Sequence, residues 1–311
     1  MVNSKLTIAV LIITFKRSSL LKKCLVSIKN QVRPPDHIII VEKTNKDSSP
    51  AKNILKDIFP KNIRITYKKL SKGNVSVSRN LALKNAQEDI ILFIDDDVIV
   101  DKKYINDLLT IYKNNFKKHS VVGKILPTKQ EYWQIFINHL ITANVTNSNK
   151  PQVIDHWPTL NFSIRMKCLN LTKLKFNENY TALEDMDFCL RLKLAGYKIH
   201  YTPHLLVQHK YENTIAGFVN KFKKYFRNVA QFNKDHIDKK IFNTNLFLIK
   251  NTFKSFYYIK LIKKVIIQSN LFRKQLKLPL QYYLACLTFH YALYLGFKNS
   301  IPTQLSKSKI N

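Results

Sequence analysis

Glycine is scarce in this chain, with five residues in 311. A phosphate cradle built on a run of glycines, the usual device of a nucleotidyltransferase, has little material here. The place after the first apolar run, where such a loop belongs, reads ThrPheLysArgSerSer (Thr14–Ser19) instead. Cysteine is equally thin. Cys24, Cys168, Cys189 and Cys286 lie far apart without metal-type spacing, so a zinc cluster and a disulfide framework are both unsupported, and a reducing compartment is expected. The N-terminal apolar run, Leu6 to Ile13, is short and has no small-residue cleavage site behind it; it reads as a first strand and not as a signal peptide. Acids are the third shortage. Against 52 Lys and Arg stand 20 Asp and Glu, a net charge of +32, which calls for an anionic partner: nucleic acid, an anionic membrane surface or a phosphorylated substrate.

What is present is a core. Apolar residues make up 45% of the chain, enough to bury one large domain or two ordinary ones and to exclude global disorder. The first 125 residues alternate short β-branched runs with helical patterns. Strands are expected at Thr7–Thr14, His37–Glu42, Ile63–Lys68, Ile90–Ile94 and Ser120–Ile125. Helices are expected from an N-cap at Ser18 through Ile28, and over Pro50–Ile58, Val75–Ala86 and Tyr104–Asn115. This alternation predicts an α/β fold with a mostly parallel central sheet and helices on both faces. From about Gln130 to Lys175 little periodicity is visible. Glu184 to Gly196 then fits a helix closed by glycine, and Tyr197–Tyr201 a returning strand.

After Lys210 only Glu212, Asp235 and Asp238 remain as acids. Phe218, Phe222, Phe226 and Val229 share one helical face, with Lys221, Lys223, Lys224 and Arg227 around the rest, a basic amphipathic helix. The apolar stretch between Lys277 and Lys298 contains Pro279, Gln281 and His290 and reaches spanning length only marginally, so a surface-bound or packed helix is favoured over a membrane span. The expected division is 1–210 as the α/β domain, in halves 1–125 and 126–210, and 211–311 as a basic, aromatic-rich helical extension.

The stretch IleLeuPheIleAspAspAsp (Ile91–Asp97) stands out in a chain so poor in acids. Three adjacent carboxylates repel one another, so they form either a solvated turn or a site for something positive. An Asp-x-Asp pair at a strand end can hold Mg²⁺ or Mn²⁺, which keeps waters and takes its remaining ligands from substrate phosphates. Ligands of parallel sheets bind beyond the carboxyl ends of the strands. Thr14–Arg17, Glu42 and Asp95–Asp97 all follow expected strands and so converge on that edge.

Several stretches, in order, resemble the family 2 glycosyltransferases of the GT-A fold. IleIleThrPheLysArg (Ile12–Arg17) resembles the family's Thr-Tyr-Asn-Arg signature, and IleIleIleValGluLys (Ile38–Lys43) its Val-Asp-Asp strand end. LysGlyAsnValSerValSerArgAsnLeuAla (Lys72–Ala82) resembles the Gly…Arg-Asn element, and Asp95–Asp97 the Asp-x-Asp motif. AsnPheSerIleArg (Asn161–Arg165), GluAspMetAsp (Glu184–Asp187) and ProHisLeuLeuValGlnHis (Pro203–His209) resemble the acceptor-side, Glu-Asp and histidine elements. The resemblance covers Leu6 to His209. It implies inverting transfer of a sugar from a nucleoside-diphosphate sugar to a hydroxyl of a saccharide or lipid-linked acceptor, with Mn²⁺ or Mg²⁺ as cofactor. The donor would be met by Thr14, Arg17, Glu42 (where the family more often has Asp), Arg79 and Asp95. Asp97 and His209 would ligate the cation, with Asp96 structural. Asp185 would be the general base, and Glu184, Asn161 and Arg165 would face the acceptor.

The basic extension could instead serve nucleic acid, yet no stretch resembles a nucleic-acid module. Attraction to anionic lipid, roughly 1 kcal/mol per basic residue near the surface, accounts for it as well. The expected setting is cytoplasmic, peripheral at the inner face of the cell membrane, with no specific nucleic-acid partner.

Overall fold

The computed structural model describes residues 5–45, 49–59, 63–129 and 148–211, with isolated positions within 134–145 and 217–236. Two compact units divide the chain at Glu212/Asn213. The amphipathic helix expected around Phe218–Val229 and the apolar stretch 277–298 lie, but for Asn228, outside the described residues.

Strands β1 (Ile8–Thr14), β2 (His37–Lys43) and β4 (Ile90–Asp95) are almost wholly buried. Their unbroken β-branched and aromatic runs suit strands covered on both faces, which is why they read as continuous and not alternating. Strand β3 (Arg64–Leu70) carries Arg64, Lys68 and Lys69 into solvent and closes the sheet on one side, as charged edge strands do. The order is β3-β2-β1-β4, then β8 (Asn161–Arg165), β6 (Ser120–Pro127), β9 (Ile199–His209) and β5 (Val98–Val100), with β7 (Gln152–Ile154) paired to β9. Pairings among β1 to β4 are parallel. Strand β8 joins β4 and β6 antiparallel, β5 joins β9 antiparallel, and β6 and β9 run parallel. The sheet is therefore mixed, parallel in the first half of the domain and of both senses in the second.

Helix α1 (Ser18–Lys29) buries Leu21, Cys24, Leu25 and Ile28, the spacing of one apolar stripe. Arg17, and not Ser18, is its N-cap. Helix α2 (Pro50–Ile58) starts on a proline, whose missing N–H would lack a partner there anyway. In α3 (Val75–Lys84) the Asn74 side chain caps the first turn, accepting from the Val77 N–H at 3.1 Å. Helices α4 (Tyr104–Asn114), α5 (Met166–Thr172) and α6 (Glu184–Leu194) follow.

The returning strand is much longer than its apolar core suggests, running from Ile199 to His209 through Pro203. Its register against β6 slips between Gly123 and Lys124, where Gly123 faces Thr202 but Lys124 faces Leu206. A Cβ at Gly123 would lie 2.0 Å from the Leu205 carbonyl oxygen and 2.9 Å from Asn161 Nδ2. Gly123→Ala is thus expected to destabilise the domain by about 1–3 kcal/mol or more, read as a lower midpoint in urea. An unchanged midpoint would contradict this account of the slip.

Candidate functional site

The carboxyl ends of the strands gather the acids. Thr14 is the register partner of Glu42, and Ile13 that of Asp95. Asp95 ends β4, Asp96 and Asp97 make the turn into β5, and each of the three is held differently. Asp96 is buried and accepts from the Thr14 hydroxyl at 2.7 Å and from Arg17 at 3.3 Å. Burial pushes its carboxyl up to about 6 against the pull of the Thr14 hydrogen bond, in keeping with a structural part. Asp97 accepts from Arg17 at 2.8 Å, and its Oδ1 lies 3.1 Å from His209 Nε2. Asp95 accepts from Arg79 at 3.3 Å. Among the described residues, Arg17, half exposed, and Arg79, buried, pair with the trio.

His209 reaches this turn because β9 pairs with β5: Val98 is its register partner, and the Lys210 N–H donates to the Asp97 carbonyl. The register slip at Gly123 lies on the same strand. His209 is buried and packs edge-on against Tyr211, with ring centres 4.3 Å apart.

A cation fits the donor set here. An imidazole nitrogen and a carboxylate oxygen converge, and the other ring nitrogen, Nδ1, is buried and has no hydrogen-bond partner among the described residues. Among the described residues no three His, Cys, Asp or Glu side chains assemble into a full metal cage. Two protein ligands leave most positions to water and substrate oxygens, which suits Mg²⁺ or Mn²⁺ better than a closed structural metal.

On the other side of Asp95 lies the buried Arg79. Its guanidinium bonds Glu184 Oε1 at 2.7 Å as well as Asp95. Burial alone would lower its proton affinity; Asp95 and Glu184 more than reverse that and keep it charged. The sequence reading aimed Arg79 outward at the donor, whereas both ends of its fork are committed to protein carboxylates. Asp185 follows Glu184. Burial pushes its carboxyl up to about 7, the Glu184 charge adds to this, and Arg79 opposes it. The Asp185 side chain keeps some exposed surface although protein surrounds most of it. Leu183, just before these acids, has φ 66°, an uncommon left-handed conformation for a branched side chain. Lys16, before Arg17, has φ 54°. Both bends sit at the rim of the site.

Glu42 is set apart from the trio. Its Oε2 lies 2.6 Å from the Ser49 hydroxyl and accepts from Tyr67 at 2.7 Å, and the single Ser49 proton can go to Glu42 or to the Tyr67 oxygen. It lines a cavity of about 610 Å³ with Phe15, Lys16 and Lys43 among the other walls. The Phe15 ring is half exposed, and the ammonium groups of Lys16 and Lys43 stand 5.2 and 5.6 Å from its centre.

Two expected residues do not join the cluster. Asn161 is fully buried, accepts from the Tyr104 hydroxyl and lies 3.5 Å from the Lys124 carbonyl, so no side-chain surface is left for an acceptor. Arg165 pairs with Ile90, at the opposite end of β4 from Asp95. It lies over the Tyr112 ring and donates to the carbonyls of Tyr112 and Lys118. Antiparallel β8 starts beside the acidic edge at Asn161, opposite Ile94, and carries the chain away from it to Arg165; distance removes Arg165 from the site, and burial with committed partners removes Asn161. Ser49, Tyr67, Gly123 and Phe176 went unassigned in the sequence. Only Gly123 carried a signal, as one of so few glycines inside a strand-like run.

The family model described as glycosyl transferase family 2 matches residues 9–180, a span that holds Thr14, Glu42, Arg79 and Asp95–Asp97 and stops short of Glu184, Asp185 and His209. The poly(ribitol-phosphate) beta-N-acetylglucosaminyltransferase TarP of Staphylococcus aureus is 23% identical over 244 residues, 73% of this chain and 71% of its own. The O-antigen chain rhamnosyltransferase RfbN of Salmonella typhimurium is 26% identical over 229 residues, 70% of each chain. The rhamnosyltransferase WbbL of Escherichia coli is 22% identical over 254 residues, 71% of this chain and 92% of its own. Among solved structures, S. aureus TarS shares the fold, with a TM-score of 0.54 at 14% identity over 95% of this chain and 54% of that one.

Proposed function

The chain belongs to glycosyl transferase family 2, and from that premise we propose that it moves a sugar, with inversion, from a nucleoside-diphosphate sugar to a hydroxyl of a saccharide or lipid-linked acceptor in cell-surface polysaccharide or glycolipid assembly. One observation carries this reading. The Asp95–Asp97 turn meets His209 on one side and, through Arg79, the Glu184–Asp185 pair on the other.

Asp97 and His209 would hold a divalent cation, Mn²⁺ or Mg²⁺, with Asp95 beside the ribose. When bound, that cation supplies positive charge to the diphosphate of the donor. The remaining work belongs to side chains. The Asp185 carboxylate accepts the acceptor's hydroxyl proton while that oxygen attacks the anomeric carbon from the face opposite the diphosphate. The new C–O bond forms as the bond to the diphosphate breaks. Glu184, pinned by Arg79, keeps a negative charge next to Asp185 and so keeps its proton affinity high.

The cavity at Glu42 narrows the donor. A carboxylate accepts from a ring N–H, and the Lys43 ammonium suits a neighbouring carbonyl oxygen. Uracil, thymine and guanine offer that pair, whereas adenine and cytosine turn a lone pair toward the carboxylate. With Mn²⁺ present, one of UDP, dTDP or GDP is therefore expected to raise the melting temperature by several degrees, in line with about 2.7 kcal/mol at 100 times Kd. ADP and CDP are expected to leave it nearly unchanged. Equal stabilisation by ADP or CDP would contradict the assignment of the base site, and no stabilisation by any nucleotide would contradict the transferase reading.

The basic extension supports a second element of the proposal, peripheral attachment to the anionic inner face of the membrane. Among the described residues no helix is long and apolar enough to cross a membrane. One relative's name specifies a phosphate-bearing polymer, and a chain of +32 suits an anionic acceptor as well.

A further inference from the structure

The segment leading into Glu184 and Asp185, residues 173–183, contains no helix or strand. It is instead fastened to α3 by side chains. Asn80 pairs with the backbone of Phe176 much as a neighbouring strand would: its Nδ2 donates to the Phe176 carbonyl and its Oδ1 accepts from the Phe176 N–H, both at 2.9 Å. The same Nδ2 lies 2.9 Å from Glu178 Oε1. Asn74 Nδ2 donates to the carbonyls of Glu178 at 2.7 Å and Tyr180 at 2.9 Å, and the Ser76 hydroxyl donates to the Tyr180 carbonyl at 3.2 Å.

The ring so held touches three of the elements that carry the site. Phe176 meets Phe93 of β4 edge-on, with centres 5.5 Å apart, and stacks on Phe188 of α6 at 4.5 Å. The Arg79 guanidinium stands 5.4 Å from its centre. One side chain thus contacts the strand that ends in the acidic turn, the helix that carries Arg79 and the helix that begins with Glu184 and Asp185. That last helix has no side-chain N-cap and enters through the left-handed Leu183. Its first turn is held by Arg79 on Glu184 and by the Met186 N–H on Asp185, and its placement depends as well on what holds the segment before it.

We propose that Asn80 is a positioning residue for sugar transfer, setting Asp185 against the Asp95–Asp97 turn by clamping Phe176. The inference rests on Asp185 as the base. Asn80 itself touches neither the acidic turn nor His209, so its loss should leave donor binding alone and disturb the alignment of the reacting groups. Misplacement of catalytic groups by about 1 Å costs up to about 100-fold.

The test compares the full-length Asn80→Ala and Asn80→Asp proteins with Asp185→Asn and the native chain. Asn80→Ala is expected to lower kcat about 10- to 100-fold while the affinity for the nucleoside diphosphate in Mn²⁺ stays within about twofold. Asn80→Asp keeps the acceptor for the Phe176 N–H but turns an oxygen toward the Phe176 carbonyl and Glu178 Oε1, and is expected to lose as much kcat as the alanine variant. If Asn80→Ala fails to fold, Asn80→Asp carries the test, with the same loss in kcat expected at native nucleotide affinity. An unchanged kcat in the folded variants overturns the proposal. So does a parallel fall of kcat and nucleotide affinity, which marks a merely structural residue. An Asp185→Asn protein that still transfers sugar would instead overturn the choice of base, and the inference with it.

Discussion

Asp185→Asn is expected to lower kcat by about 10²- to 10⁴-fold, the usual contribution of a positioned general base. The amide matches the carboxylate in size but cannot take the acceptor's proton. Nucleoside-diphosphate affinity should hold, because the cation and base sites are built from other residues. The native enzyme should also show this group in its pH profile. Burial pushes the Asp185 carboxyl up to about 7, and only its ionised form can act. Activity should therefore be full above that pH and fall as pH drops through it, because protonation removes the base. In kcat/KM this limb reports the free enzyme. A profile flat from pH 5 to 8, or an asparagine variant with native kcat, would contradict the assignment.

Asp97→Ala is expected to be as damaging for a different reason. The substitution removes the carboxylate that faces His209 Nε2 and that binds Arg17 at 2.8 Å. With it goes one of the two side chains proposed to hold the cation. Transfer should fall by about 10²- to 10³-fold or more, the scale seen when one element of electrostatic stabilisation is removed. Nucleotide binding should lose its response to Mn²⁺, measurable by calorimetry with and without the ion. Arg17 keeps Asp96 as a partner, and Asp96 keeps Thr14, so the turn itself should survive. A variant whose nucleotide affinity still responds to Mn²⁺ would place the ion elsewhere.

The parts of the fold legible in the sequence are those where packing and chemistry agree. Strands β1, β2 and β4 are buried on both faces and spelled as unbroken apolar runs, and α2 has the expected bounds, Pro50–Ile58, because a proline opens it. Strand β8 was missed. It is five residues long, starts with a buried Asn, and sits in a stretch without periodicity. The full reach of β9 is not visible in the sequence either, since Pro203 and His204 argue against a strand; they lie in the register slip, and the paired residues on either side, Ile199–Thr202 and Leu206–His209, carry the strand through them.

The site divides the same way. Residues that directly follow strands, such as Glu42 and Asp95–Asp97, can be placed on the sheet edge from spacing alone, because a parallel sheet brings all its strand ends together. The direction of Arg79 cannot. Helix α3 buries Ser76, Ser78, Arg79 and Ala82, a polar stripe that gives no hydrophobic signal of which face turns inward. Asn161 and Arg165 were placed by resemblance alone, which does not show the partners that occupy their polar groups, Tyr104 for the first and the carbonyls of Tyr112 and Lys118 for the second.

The most direct measurement is a calorimetric titration of the native chain with the preferred nucleoside diphosphate, run with Mn²⁺ and again in chelator. Tight binding that weakens at least about tenfold when the ion is withdrawn is the predicted result, since Asp97 and His209 face each other with two protein ligands to offer. Equal affinity in both buffers would mean that this acidic corner takes no ion with its substrate, and the chemistry assigned to the turn would have to be abandoned.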